Sequence, residues 1–318
     1  MNNYALGQTG LTVSQIGMGV LTVGRTQLDL SIDEGAQLIR YAIGRGINFL
    51  DTAEYYETYP YIAAADVRDV IISSKSLVRD KAGMTNAIED CRMMLGRDQI
   101  DIFLLHEIRT QYDFFNRAGA WQALIDAKAR GLVKAIGLST HHIDGVEIAT
   151  TLPDLDVVFP LINHRSLGIR KGNDTGSKEE MAKSIKLASL AGKGIFTMKA
   201  LGGGNLAGEY VSAMNYVTGL PGVSSVILGM GSKRDIDNAI DYAEGKLSVD
   251  FHPDISKKKM YVEQGNCEGC GACINICTSK AIDYNSAACA EINTDICVKC
   301  GYCAYACPVR AIILLDIA

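Results

Sequence analysis

Three short runs decide how this chain reads: INFLDTA (47–53), DVIISSK (69–75) and IDIFLLH (100–106). Each is apolar and rich in β-branched residues, and each is too short for a helix, so each reads as a buried strand. Five more runs follow the same pattern: VSQIGMGVLTV (13–23), VKAIGLST (133–140), LDVVFPLIN (155–163), IFTMKAL (195–201) and VSSVILGM (223–230). Between them lie stretches of helical periodicity such as DEGAQLIRYAIGRG, NAIEDCRMMLG, AWQALIDAKARG and KEEMAKSIKLASLAGKG, closing on Gly as helix C-termini do. Strand and helix alternating eight times across roughly 235 residues is the rhythm of a parallel (β/α)8 barrel. A doubly wound sheet is the competing reading. Its nucleotide fingerprint is missing, because LGGGN (201–205) lacks the G-x-G-x-x-G spacing.

At 318 residues the chain is long enough for a barrel and an appendage. The formal net charge of -5, with both signs dispersed, provides no broad basic field and argues against nucleic acid as a partner. MNNYALGQTGLTVSQ carries no secretory pattern, and no run approaches the roughly eighteen apolar residues of a membrane span, so a cytoplasmic protein with no membrane partner is expected. GKLSVDFHPDISKKKMYVEQG (245–265) breaks the rhythm and reads as a linker whose lysines face solvent. The expected domains are therefore 1–248 and 249–318. The second strand is followed by only YPYIAAADVRD before the third, which predicts a shortened helix.

Of the ten cysteines, only Cys91 lies before residue 260. CEGCGACINICTSKAI (267–282) and CVKCGYCAYACPVRAI (297–312) form an internal repeat offset by thirty residues, each half spelling C-x2-C-x2-C-x3-C. That spacing belongs to bacterial two-cluster ferredoxins, where the fourth cysteine of each run ligates the other cluster. One [4Fe-4S] cluster would then take Cys267, Cys270, Cys273 and Cys307, and its mate Cys297, Cys300, Cys303 and Cys277. Structural zinc is the alternative, but it favours C-x2-4-C pairs separated by a longer spacer. Cys289 fits neither set, and Cys91 reads as a core filler.

The expected fold class is thus α/β: a (β/α)8 barrel followed by a small α+β two-cluster ferredoxin-like domain. In such a barrel, chemistry sits where strands end. The second strand ends near Asp51 with Tyr56 just beyond, the third at Lys75 and the fourth at His106. Singly, these would be a turn cap, a solvated lysine and a satisfied core histidine. Together they would share one rim.

FLDTAEYY, IISSKS and DIFLLHEI, with SQIGMGV (14–20) and KAIGLST (134–140), resemble the aldo-keto reductases, and the tail extends the resemblance to members with a ferredoxin-like C-terminal domain. The resemblance implies a catalytic tetrad of Asp51, Tyr56, Lys75 and His106, and selects Tyr56 over its neighbour Tyr55. It implies NADP or NAD as cofactor, with contacts at Gly19, Ser139 and Asn163, and phosphate contacts at Ser232, Lys233 and Arg234. The sequence departs from the family at Thr140, Phe159, Met198, Lys199 and Ala239. The expected activity is interconversion of a small carbonyl compound and its alcohol, with Tyr56 as general acid and base and a Lys75 ammonium favouring its ionised form. The alternative is a ferredoxin-linked electron-transfer protein whose barrel uses no nicotinamide, with flavin or one-electron substrate reduction in its place. Under the first reading the tail passes electrons to or from a redox protein partner or keeps a structural role; under the second an external ferredoxin feeds it.

Overall fold

The computed structural model describes residues 1–317. Eight parallel strands close a barrel: β1 Ile16–Gly19, β2 Phe49–Asp51, β3 Ile71–Ser76, β4 Ile100–Leu105, β5 Val133–Thr140, β6 Val157–Pro160, β7 Gly194–Met198 and β8 Val223–Gly229. β8 closes on β1 with Val226 opposite Ile16 and Gly229 opposite Gly19. All eight expected strands form. The first run is broken, however: Thr12–Ser14 pairs with Asn3–Ala5 in an antiparallel hairpin, only Ile16–Gly19 enters the barrel, and Val20–Val23 turns in a 3-10 helix.

The interior is packed, not hollow. Phe49, Ile102, Leu104, Phe159, Phe196 and Ile227 fill it, with the rings of Phe159 and Phe196 stacked at 4.2 Å, and Leu6, Leu11 and Val13 join them from the hairpin segment. This follows from near-continuous apolar strands whose inward side chains meet in layers.

Outside runs a ring of helices: α1 Ile32–Gly44, α2 Tyr59–Ala65, α3 Lys81–Leu95, α4 Gln111–Asn116, α5 Ala118–Ala129, α6 Ile143–Thr151, α7 Lys178–Leu190, α8 Tyr210–Thr218 and α9 Lys233–Ala243. Their starts are chemically marked. Ser31 and Ser177 each make a capping box with a glutamate three residues on, and Asp80 and Ser232 accept from the first turn of their helices. α3 ends on Gly96 at φ 62°, a left-handed turn that glycine adopts without a Cβ penalty. α2 is the expected short helix, seven residues long.

The tail repeats one unit. Gly271 and Gly301, both at positive φ, open the one-turn helices α10 Ala272–Ile276 and α11 Tyr302–Ala306. β10 Ile282–Tyr284 and β11 Ala290–Ile292 make a hairpin. Lys258–Val262, expected to be linker, is instead strand β9, paired antiparallel with the C-terminal strand β12 Ile312–Asp316. Lys258 does not face solvent: its ammonium binds both carboxylate oxygens of Asp316 at 2.8 Å and lies 3.3 Å from Asp235. Ile312 packs in the tail's own core, whereas Ile313 and Leu315 of β12 are buried with Leu28 and, at about 1.5–3 kcal/mol for each large aliphatic side chain removed from water, hold the tail against the barrel.

Candidate active site

Asp51 and Lys75 stand at the ends of the adjacent strands β2 and β3. The Lys75 ammonium donates to both Asp51 carboxylate oxygens, at 2.9 and 2.7 Å, and to the Thr52 carbonyl at 2.7 Å. Both side chains are buried. Burial pushes the Asp51 carboxyl up and the Lys75 ammonium down, and the charge of each opposes the shift of the other. A 3-10 turn, Glu54–Tyr56, follows β2 and is fixed by a 2.6 Å hydrogen bond between the Thr52 and Thr58 hydroxyls. It places the Tyr56 ring with its centroid 4.9 Å from Lys75 Nζ, while Tyr55 points outward and packs toward Gly265.

His106 follows β4 and meets the Tyr56 ring edge-on, centroids 5.6 Å apart at 86°. Arg117, itself buried, holds these strand ends together by donating to the carbonyls of His106 at 2.7 Å and Ser76 at 2.8 Å. The structure therefore gathers the four expected residues around one point. Burial, with Lys75, His141 and Arg117 adding to it, holds His106 well below its ordinary value and keeps it neutral. Its Nδ1 has no hydrogen-bond partner among the described residues.

The electrostatics of Tyr56 differ from expectation. Its phenol is raised well above 10, first by burial and then by the negative charges of Asp51, Glu263 and Glu107. Lys75, 4.9 Å from the ring, is matched by Asp51 at hydrogen-bond distance. The resting tyrosine is a firmly protonated donor.

Asp51 and Tyr56 line a cavity of about 200 Å³ whose wall also includes Phe159, Met198 and Lys199 from the barrel and Leu314 from β12. A more polar cleft of about 640 Å³ opens beside it, between Glu107, Arg109 and His141 of the barrel and Cys267 of the tail. A charged cluster that sequence reading missed stands at this junction. Lys199 sits at φ 64° and has Glu263 at 3.8 Å; Arg310, 2% exposed, has Glu263 at 3.9 Å and none of its guanidinium nitrogens hydrogen-bonded to a described residue. Burial, with Arg310 second, brings Lys199 down to about 8. Glu263 lies in the supposed linker and Arg310 in a cysteine motif, so only the folded tail brings them to the barrel mouth.

The residues expected to cradle a nicotinamide cofactor are dispersed or engaged. Asn163 donates to the Leu167 carbonyl and accepts from the Arg165 and Leu167 amides, and the Ser139 hydroxyl accepts from the Glu107 amide. Ser232 caps α9, Lys233 lies over the Tyr41 ring, and Arg234 pairs with Asp254 at 2.8 Å. Gly19 does line the cavity.

Cys273 stands near Cys307 and Cys267, and Cys303 near Cys297 and Cys300. Burial and then the neighbouring thiols Cys307 and Cys267 push Cys273 up, while burial and then Cys297 and Cys300 push Cys303 up to about 12. The amides of Ala281 and Ala311, thirty residues apart, donate to Cys277 and Cys307 sulfur at 3.2 Å. Such N–H···S bonds are what thiolate ligands accept. Among the described residues, no three His, Cys, Asp or Glu side chains converge on a point where one ion would sit. Cys91 is core, and Cys289 lies against the Cys267 carbonyl.

A parallel barrel with polar groups at its strand ends and a cysteine-rich module across its mouth defines an oxidoreductase architecture. The chain belongs to the aldo/keto reductase family, whose model matches residues 15–216. Residues 290–313 match the 4Fe-4S binding domain. Among similar proteins are methylglyoxal reductase DkgA of Yersinia pestis, 26% identical over 50% of this chain and 58% of its own length, and 2,5-diketo-D-gluconic acid reductase B of a Corynebacterium, 29% identical over 49% and 61%. The chain thus spans little more than half the length of these relatives. An aldo-keto reductase of Bacillus halodurans in its holo form shares the fold at TM-score 0.65 and 18% identity, covering 77% of this chain and 91% of that one. Among the described residues no helix is long and apolar enough to cross a membrane.

Proposed function

We propose that the chain interconverts a small carbonyl compound and its alcohol at Asp51, Tyr56, Lys75 and His106, with residues 1–248 as the barrel and 249–318 as an iron-sulfur module. The observation that carries this reading is the buried Lys75–Asp51 pair, with the Tyr56 ring 4.9 Å from the ammonium and the His106 ring against it. Reducing a carbonyl builds negative charge on its oxygen, so the site needs a donor that keeps its proton until that charge appears. Tyr56, buried among carboxylates, is such a donor, and its phenolate is the base for the reverse reaction. Neutral His106 orients the substrate oxygen by a hydrogen bond from its ring. Lys75, fixed by three acceptors, sets the field under the phenol; Asp51 keeps the lysine charged and in place.

The cavity of about 200 Å³ suits a substrate of a few heavy atoms, below the ~300–1,000 Å³ of sites for larger ligands. Two [4Fe-4S] clusters, on Cys267, Cys270, Cys273 and Cys307 and on Cys297, Cys300, Cys303 and Cys277, would supply one-electron transfer when bound. Reduction of the carbonyl consumes two electrons and two protons; bound clusters would pass the electrons one at a time from a reduced external donor, and Tyr56 would give one of the protons. The test is anaerobic turnover of methylglyoxal by the holoprotein, with NADPH or dithionite-reduced methyl viologen as reductant. Tyr56→Phe lowers kcat by roughly 10²–10⁴ under whichever reductant supports turnover, the range of a lost general acid; an unchanged kcat contradicts the reading.

A further inference from the structure

We infer that this chain's own C-terminal strand takes the place of a dinucleotide across the barrel mouth, and that the protein as folded excludes NADP and NAD. In this fold the phosphate site is built from the loops after strands seven and eight and a helix N-terminus. Here the C-terminal strand stands against both loops. After β7, Gly202, Gly203 and Gly204 all take positive φ, and Gly203 and Gly204 lie against the tail. A Cβ on Gly204 would sit 2.9 Å from Leu314 Cβ, and one on Gly203 would sit 2.8 Å from Ile313 Cγ2. The Asn205 side chain donates to the Ile312 carbonyl at 2.8 Å, sealing strand to loop.

After β8, a Cβ on Gly231 would meet the Asp316 carboxylate at 2.6 Å. The Gly231 amide donates to Asp235 at 3.1 Å and the Asp235 amide to Ser232 at 3.2 Å, so these two amides are already bound. Two carboxylates, Asp235 and Asp316, stand there with only Lys258 between them. A phosphate beside them would meet this negative charge. Lys233 and Arg234, the cations expected to meet it, are engaged with Tyr41 and Asp254. The cavity left between strand and barrel, about 200 Å³, is far smaller than a dinucleotide. The strand is no loose cover: five residue pairs tie it to β9, from Lys258 opposite Asp316 to Val262 opposite Ile312.

This inference concerns the mouth in which the carbonyl chemistry is proposed but does not depend on Tyr56 acting there. The experiment is titration of anaerobic wild-type holoprotein with NADPH and, separately, NADH, followed by equilibrium dialysis and by hydrogen exchange of residues 312–316. The expected result is no saturable binding up to roughly 1 mM, the upper end of ordinary cofactor and substrate affinities, with protection of the strand unchanged. One-site binding below that concentration, or loss of protection in 312–316 on adding either dinucleotide, overturns it. A protein that binds NADPH and loses turnover on Tyr56→Phe defeats this inference and leaves the carbonyl reading standing. One that binds neither dinucleotide and is indifferent to Tyr56→Phe does the reverse.

Discussion

Lys75 makes three short hydrogen bonds to acceptors beside it on neighbouring chain segments, and that fixity makes the site testable one residue at a time. Asp51→Asn leaves a buried ammonium without its counter-charge. It should destabilise the fold by about 3–5 kcal/mol in urea unfolding, the usual cost of breaking a buried pair from one side. His106 and His141 carry a pH signature. Both are held well below their ordinary value, first by burial. In the unfolded chain each takes up a proton as pH falls below ~6.5, while in the folded protein it resists, so the unfolded state binds more protons. The stability this contributes is complete above that pH and is lost as pH falls. Melting temperature should drop between pH 7.5 and 5.5, and less steeply in His141→Gln. Asp51, Lys75 and His106 were legible in the sequence because each follows an apolar run by a fixed step. Glu263 and Arg310 were not, because nothing local marks a charge whose partner lies on another module.

At the scale of elements, strand periodicity and glycine-closed helices made the barrel readable from local pattern alone. β9 was misread because KKKMYV looks like a charged linker until its mate, 58 residues away at Asp316, turns Lys258 inward. Pairing over that separation leaves no local trace. The loop after β7 offers a direct check on how closely tail and barrel fit. Gly203 combines φ 70° with the Arg310 guanidinium where a Cβ would stand. Gly203→Ala should therefore cost about 1–2 kcal/mol from the left-handed backbone alone, read as a lowered melting temperature of the holoprotein.

For the whole molecule, the tail is part of the candidate active site's wall. Leu314 lines the same cavity as Tyr56, so order in the iron-sulfur module and closure of the barrel mouth are linked. Anaerobically purified protein should contain about eight irons and eight sulfides per chain, as two four-iron clusters require. Removing the iron with a chelator should raise hydrogen exchange in Gly202–Gly204 as well as in the tail; unchanged exchange in that loop would separate the two modules. The repeat marked the candidate cluster cysteines and the 4Fe-4S domain in advance. Where the tail would sit was not legible, because docking depends on surface complementarity between distant segments.

The central claim is that Tyr56 and Lys75 act as one unit on a carbonyl oxygen. Its most direct test is a double-mutant cycle on anaerobic methylglyoxal turnover, comparing Tyr56→Phe, Lys75→Met and the double variant, each verified as folded by circular dichroism. Groups that act together lose their effect together. The account predicts that the double variant is no slower than the slower single one. Losses that multiply, each residue contributing independently, would contradict it.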